Sequence, residues 1–506
     1  MRLSITGDLR VTHIITTRKQ PKTTTLAPAP SDTESAPATR PGLAIAVLAF
    51  AGMGGAFMQT ILIPIQGRLP ALLDASPQDT AWVITVTLLV SAIFTPISGK
   101  LGDMYGKRRV ALILMVVLIS GSVVAALSFS VVPLIIGRAL QGAGVGVIPL
   151  GISILRDILP KRRLGSAIAL VSATLGVGGA LGLPISAFVT QNFDWHALFW
   201  VASGIGVVSF FLILWIIPAS TLRAGGRFDY LGAVGLAIGL VGVLLGVSRG
   251  NEWGWTSLAT LSLLGGGIAV LLLWGWFEVR TGSPLVDLRV AARGPVLFTN
   301  LASIAMGFAL FASSIVFPQL LQLPKSVGGM GLPLLEAAFV LMPSGLAMLA
   351  VSPIAGRLQR TVGAKPLLVA GATIIALTYL ACVFLDLAVW HVLVVNTVIG
   401  VGIGLGYAAM PSLIMQSVPV HETAAANGFN TLMRALGTTV AAAVIAGILT
   451  QSSVEVGGIA APSGDGFQMA FVLGLAAAVV CAVFALLIPR PAVHPGEEES
   501  LPAGAV

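Results

Sequence analysis

Charge is the scarcest property of this sequence. Asp, Glu, Lys and Arg make up 9% of its 506 residues, against about 25% in soluble domains, so the chain has too little charge to clothe a water-facing surface. Cysteine is almost missing. Cys382 and Cys481 both lie inside apolar stretches, where small packing side chains explain them better than a disulfide or a metal pair. The five histidines are scattered and no Gly-x-x-x-x-Gly-Lys phosphate loop occurs, so neither an ATP-driven pump nor an enzyme is expected, and no cofactor. Alternating segments of about ten residues are lacking too, which argues against a membrane β-barrel.

What fills the chain is apolar residues, 56% of the total, with a mean hydropathy of +0.97. Runs of about 20 residues, the length that spans a bilayer core, follow one another from Leu43 onward. Fourteen spans are read at about 43–65, 80–98, 109–129, 131–153, 165–189, 197–217, 230–248, 256–277, 296–321, 335–355, 366–386, 389–413, 425–449 and 467–489. The fold class is therefore an all-α polytopic membrane protein in contact with lipid. An even number of spans puts both termini on one side. With that side inside, 23 Lys and Arg residues fall in cytoplasmic segments and only Arg68, Arg249 and Lys325 in external loops, the bias expected of a plasma-membrane protein with both termini cytoplasmic. The net charge of +8 is thus topogenic and does not point to nucleic acid. Residues 1–41, rich in Thr, Pro, Ala and Arg and without an apolar core of signal-peptide length, are expected to form a disordered cytoplasmic tail, and 490–506 a second tail.

The organising stretch is Gly99-Lys-Leu-Gly-Asp-Met-Tyr-Gly-Lys-Arg-Arg109, a basic turn between two apolar runs. It recurs in diluted form. Thr95-Pro-Ile-Ser-Gly-Lys-Leu reappears as Ser352-Pro-Ile-Ala-Gly-Arg-Leu, with Gly106 and Arg108 matched by Gly363 and Lys365. Two related six-helix halves follow, 42–217 and 296–489, with an inserted two-helix segment at 218–295.

With these residues in hand, the chain resembles the major facilitator superfamily, and within it the fourteen-span drug:proton antiporters. Its turn is similar to that superfamily's Gly-x-Leu-x-Asp-x-x-Gly-basic-basic-basic loop, with Met104 where a basic residue is usual. The resemblance implies a latch between the halves made by Gly99, Gly102, Asp103, Gly106, Lys107, Arg108, Arg109 and the following Asp157. Independently of it, Asp103 is suited to accept from an orphan helix N-terminus, and the basic residues 107–109 are suited to pair with Asp103 or Asp157. Arg138, in Arg138-Ala-Leu-Gln-Gly-Ala-Gly144, lies in mid-span at a cost of at least ~2.5 to 3.5 kcal/mol. The resemblance implies a part in proton coupling; bonding to backbone carbonyls is the structural alternative. In span 5, Gly178, Gly182 and Pro184 resemble the antiporter motif Gly-x-x-x-Gly-Pro-x-x-Gly-Gly, with Leu183 inserted and Ser186-Ala187 in place of the glycine pair. The stretch also carries small residues at 172, 176 and 180, suited to close helix crossing.

One absence is informative within that resemblance. Where the antiporters commonly carry Leu-Asp-x-Thr-Ile in span 1, this chain reads Phe57-Met-Gln-Thr-Ile61, and no Asp or Glu lies near the middle of any span. The remaining acids are peripheral: Glu336 opens span 10 and Asp386 closes span 11, with Glu336 the better candidate for proton coupling. Gln59, Gln141, Asn300, Gln319, Asn396 and Asn430 are the neutral polar groups available to a cavity, and Arg434 stands one helical turn after Asn430. With abundant Met and Phe they suggest an apolar pocket for lipophilic, neutral or weakly charged small molecules. The expected function is a monomeric secondary exporter exchanging substrate for protons by alternating access. The alternatives are a narrow-substrate or uncoupled transporter, an importer, or a transporter-like receptor.

Overall fold

The computed structural model describes residues 41–219, 225, 227–456 and 459–489. Apart from Pro41, the expected tails lie outside the described residues.

The first half comprises α1 (Pro41–Thr60), a 3-10 turn (Ile63–Arg68), a short α2 (Leu69–Leu72), α3 (Pro77–Tyr105), α4 (Lys107–Ala126), α5 (Val131–Gly144), α6 (Val147–Ile158), α7 (Lys161–Asn192) and α8 (Ala197–Ile216). Next come α9 (Tyr230–Trp253), α10 (Leu258–Arg280) and the short α11 (Leu288–Ala291). The remainder is α12 (Gly294–Gln322), α13 (Leu334–Val362), α14 (Ala364–Phe384), α15 (Val389–Ser417), α16 (Thr423–Gln451) and α17 (Gly464–Leu487). Among the described residues, with α5 and α6 taken as one span, fourteen helical spans are long and apolar enough to cross a membrane. Several begin with a side chain that satisfies an orphan N–H: Ser76 accepts from Asp79, Ser257 from Thr260, and Ser463 from Gly466.

Three features depart from the spans read in the sequence. The first span stops at Thr60 and is followed by the 3-10 turn, so it is shorter than 43–65. The fourth is broken at Val145-Gly146, where three-residue bonds from Val145 to Gly142 (3.2 Å) and Gly146 to Ala143 (3.4 Å) replace the α pattern. It then runs on to Ile158, which brings Arg156 and Asp157 into its last turn. Between α16 and α17 lies an antiparallel pair, β1 (Ser453–Val456) with β2 (Ile459–Pro462), pairing Ser453 with Pro462 and Val456 with Ile459. Four-residue strands leave no mark on a 20-residue hydropathy window.

Two large apolar cores fill the six-helix sets, one from α1 to α8 and one from α12 to α17. The seam between them is made chiefly by α7 against α13 and α3 against α16. A third, smaller core joins Leu236, Leu240 and Leu244 of α9 and Trp274 of α10 to Leu89 and Ala92 of α3 and Leu432 of α16. The α9–α10 pair therefore sits on the α3–α16 part of the seam.

Candidate functional site

The turn between α3 and α4 lies at one end of the bundle, called here the basic end. Gly106 makes that turn at a φ of 100°, and Gly363 makes the matching turn between α13 and α14 at 88°, a region that suits glycine alone. Asp103, in the last turn of α3, is 2% exposed and reaches across the seam. Its Oδ2 accepts from the Ala425 N–H at 2.8 Å and its Oδ1 from the Ala424 N–H at 3.3 Å. These donors open α16, which has no side-chain cap of its own. The carboxylate thus satisfies two orphan N–H groups and faces the positive end of the helix dipole. Lys107, 1% exposed, stands 3.8 Å from Asp103 and donates to both oxygens of Asp157, at 2.8 and 2.9 Å. A continuous charge chain therefore runs from α6 through α4 and α3 to α16. Arg156 adds a second polar bond across the seam, 3.4 Å to the Val418 carbonyl.

Glycines allow the approach. A β-carbon at Gly99 would strike the Ala424 carbonyl, and one at Gly102 the Leu150 side chain. The rest of the basic run is divided in role. Arg108 donates to the Leu214 carbonyl in the last turn of α8, while Arg109 is exposed. Of the three basic residues expected to meet Asp103 or Asp157, only Lys107 does so.

Arg138 is 1% exposed in α5. It donates to the Met58 carbonyl (2.8 Å), the Val83 carbonyl (3.2 Å) and Gln141 Oε1 (2.7 Å). Gln141 in turn donates to Ser122 Oγ (2.8 Å) and sits 3.7 Å from Met58 Sδ. Carbonyl dipoles from α1 and α3 thus surround the guanidinium.

Arg434 is the second buried mid-span arginine, in α16, and is held differently. It donates to Thr431 Oγ1 (3.1 Å) and Asn430 Oδ1 (3.4 Å), and its guanidinium lies 4.8 Å from the Tyr407 ring centre. Asn430 Nδ2 donates to Asn300 Oδ1 (2.9 Å) and Ser303 Oγ (2.8 Å), and Ser303 contacts Met410 Sδ at 3.2 Å. Asn300, Asn430 and Arg434 are thus one network of α12 and α16. Tyr407, Ser303 and Ser122 join these networks without having been singled out in the sequence; hydroxyls and a tyrosine in apolar runs carry no spacing signal that marks them.

The antiporter-like stretch lies on α7, which is sandwiched between two helices. Gly178 and Gly182 face α1, where added β-carbons would strike the Met53 carbonyl and Thr60. Gly176 and Ala180 face α13, where Gly345 and Met348 lie against them. Pro184 is buried within an unbroken helix, and Ser186 donates to the Ile61 carbonyl of the chain just after α1. The other candidates are dispersed. Gln59 is half-buried, Glu336 is exposed in the first turn of α13, Gln319 is exposed, and Asn396 is buried and donates to the Leu341 carbonyl at 3.1 Å. Among the described residues no group of three or more His, Cys, Asp and Glu is arranged to hold a metal ion.

Comparison with known proteins identifies the family and the fold. Residues 43–442 match the family described as the Major Facilitator Superfamily. A lincomycin resistance protein, LmrB, of Listeria monocytogenes is 27% identical over 465 residues, covering 89% of this chain and 97% of the relative. A multidrug transporter protein, MdtP, of Bacillus subtilis is 23% identical, covering 81% of this chain and 75% of the relative. A multidrug resistance protein, Stp, of Mycobacterium tuberculosis is 24% identical, covering 73% and 68%. Among solved structures, the human organic anion transporter MFSD10 (TETRAN) has the same fold, with a TM-score of 0.62 at 14% identity, covering 89% of this chain and 99% of that one.

Proposed function

The chain belongs to the major facilitator superfamily and is a multi-pass membrane transporter rather than an enzyme; from that premise we propose that it exports lipophilic small molecules in exchange for protons. The observation that carries this reading is the capping of α16 by Asp103. It joins the two halves at the basic end through groups that part cleanly, a carboxylate and two backbone N–H groups, as a gate in alternating access requires. The bias of 23 Lys and Arg residues to one side supports a cytoplasmic position for that end. The conformation is then one shut toward the cytoplasm, from which an exporter releases its load outward. The resistance functions that give LmrB and Stp their names support export from the cell as the direction.

The substrate class follows from the buried polar groups. Arg138 and Arg434 are the buried mid-span charges and both are cationic, while Gln141, Asn300 and Asn430 are neutral. Among the described residues no carboxylate stands there to greet a cationic drug, so neutral or weakly acidic lipophilic molecules fit better. Arg138 takes part in proton coupling by holding α1, α3 and α5 in register through carbonyls that a shift of any of these helices would break. The monomer is the working unit.

The reading is tested by extrusion of a neutral lipophilic dye from energised cells, with and without a protonophore, for the unmodified protein and for Arg138→Ala. Dye efflux abolished by both the protonophore and the substitution is the expected result. Dye retention equal to that of cells lacking the protein would reject multidrug export.

A further inference from the structure

The inserted helix pair carries two acids that neither latch nor buried arginine network uses. Asp229 caps α9, its Oδ1 accepting from the Gly232 N–H at 2.7 Å. Glu278 closes α10 and is 1% exposed, with Oε2 accepting from the Leu285 N–H at 3.0 Å. The second oxygen of each, Asp229 Oδ2 and Glu278 Oε1, is buried without a hydrogen-bond partner. Both point at the same spot, for a β-carbon on Gly232 would lie 2.5 Å from each of them. The other groups that face them are the Trp274 indole, whose N–H lies beside Glu278 outside bonding geometry, and the Lys100 ammonium from α3. Leu432 and Phe429 of α16 belong to the same apolar core as Trp274 and Leu285.

Two ionised carboxylates whose buried oxygens converge on one spot repel each other, and neither of those oxygens has a hydrogen-bond partner. A single proton resolves both problems, since a protonated carboxyl donates and its ionised neighbour accepts. We propose that Asp229 and Glu278 hold one proton between them, kept while the basic end is shut and released when it opens.

The link to opening comes from position. The Gly282–Asp287 segment, whose Leu285 N–H donates to Glu278, borders a cavity of about 230 Å³ together with Lys100 of α3 and with Ala425, Ala426 and Phe429 of α16. Asp287, His421 and Glu422 also line it. Its walls thus belong to both sides of the seam that Asp103 closes. When α3 and α16 part, water enters by this cavity. The shared O–H proton passes to a water molecule, leaving two hydrated carboxylates beside the Lys100 ammonium. The proton site rests on the geometry alone, and its coupling to opening rests on the alternating-access reading.

Infrared spectroscopy of the full chain in lipid membranes tests it directly. A carboxylic-acid C=O band is expected near neutral pH in the unmodified protein and is lost in Glu278→Gln. In Asp229→Asn, where the like charge is removed, the same band titrates at a pH lower by about one unit or more. Identical spectra for the unmodified protein and Glu278→Gln, or an unchanged midpoint in Asp229→Asn, would overturn the proposal. The band requires no transport, so its absence is distinct from failure of the export reading. For the coupling, spin labels at Arg163→Cys and Arg360→Cys, with Cys382 and Cys481 replaced by alanine, should separate as pH rises through the band midpoint. Asp229→Asn/Glu278→Gln should abolish that pH response. A response unchanged by the double substitution would overturn the coupling.

Discussion

Arg108 and Lys365 stand 257 positions apart in the sequence and make the same bond in the two halves. Arg108 donates to the Leu214 carbonyl in the last turn of α8, and Lys365 donates to the Leu486 and Ile488 carbonyls at the end of α17, at 2.8 and 2.6 Å. Each is a cation placed on the negative end of the sixth helix of its own half. The internal repeat is therefore one of function as well as residue type. What differs is the position of Asp103, which the repeat matches to Arg360. One seam has the carboxylate cap and the other does not.

The paired role predicts paired effects. Arg108→Ala and Lys365→Ala should each lower thermal stability in detergent modestly, by about 0.3 to 1 kcal/mol at a helix end, and the losses should add in the double variant because the sites are remote. A large coupling between them in that measurement would contradict the assignment.

Asp103→Ala removes the cap of α16 and is expected to weaken the closed basic end by about 1 to 2 kcal/mol, roughly a tenfold shift toward open forms. Spin labels at positions 163 and 360, exposed on α7 and α13 beside the close contact of Gly356 with Ser166, should report a longer and broader separation. An unaltered distance distribution would show that Asp103 is not what holds the seam.

Lys107 lies between two acids, so its loss should hurt more than the loss of the whole group. Lys107→Met leaves Asp103 and Asp157 buried without their cation, which is expected to cost about 3 to 5 kcal/mol. Adding Asp157→Asn should recover part of the melting temperature. Equal stability of the single and double variants would argue that Asp157 is solvated rather than paired.

Tyr407 is expected to matter through its ring. Tyr407→Phe keeps the face that Arg434 lies against, whereas Tyr407→Leu removes it, and only the latter should destabilise the protein, by about 1 to 2 kcal/mol. Chemical or thermal unfolding of the two variants distinguishes them.

Two glycine substitutions on neighbouring faces should separate folding from gating. Gly178→Ala presses on α1 within one half and should lower stability. Gly345→Ala presses on the Gly176 carbonyl, 2.5 Å from the new carbon, across the seam, and should reduce transport and widen the 163–360 separation with little change in melting temperature.

How far the sequence reveals this protein follows from what a lipid environment encodes. The fourteen spans and the Gly99–Arg109 turn stand out because they break or sustain long apolar runs, and Asp103 stands out because it is an acid inside such a motif. Which face of a helix looks inward is not encoded in the same way, since lipid and protein interior are both apolar. The meeting of Arg434 with Tyr407, or of Asn430 with Asn300, therefore has no periodic signature. Asp229 and Glu278 escape for a different reason: each sits at a helix end, where a single acid reads as a boundary, and only the fold of the inserted pair brings them together. The break at Val145-Gly146 is hidden because glycine is common within these spans.

The two small-residue faces of α7 carry a mechanical consequence. Interlocked large side chains would make the halves ratchet past each other in steps, each costing a repacking event. Gly176, Ala180 and Gly345 offer instead a shallow track of small residues, with the flexible Met348 side chain lying over Gly176. On the opposite side of the same helix, Gly178 and Gly182 seat it firmly on α1. α7 is in this sense a bearing, fixed on one side and free to slide on the other, and the glycines of the antiporter-like stretch are its raceway.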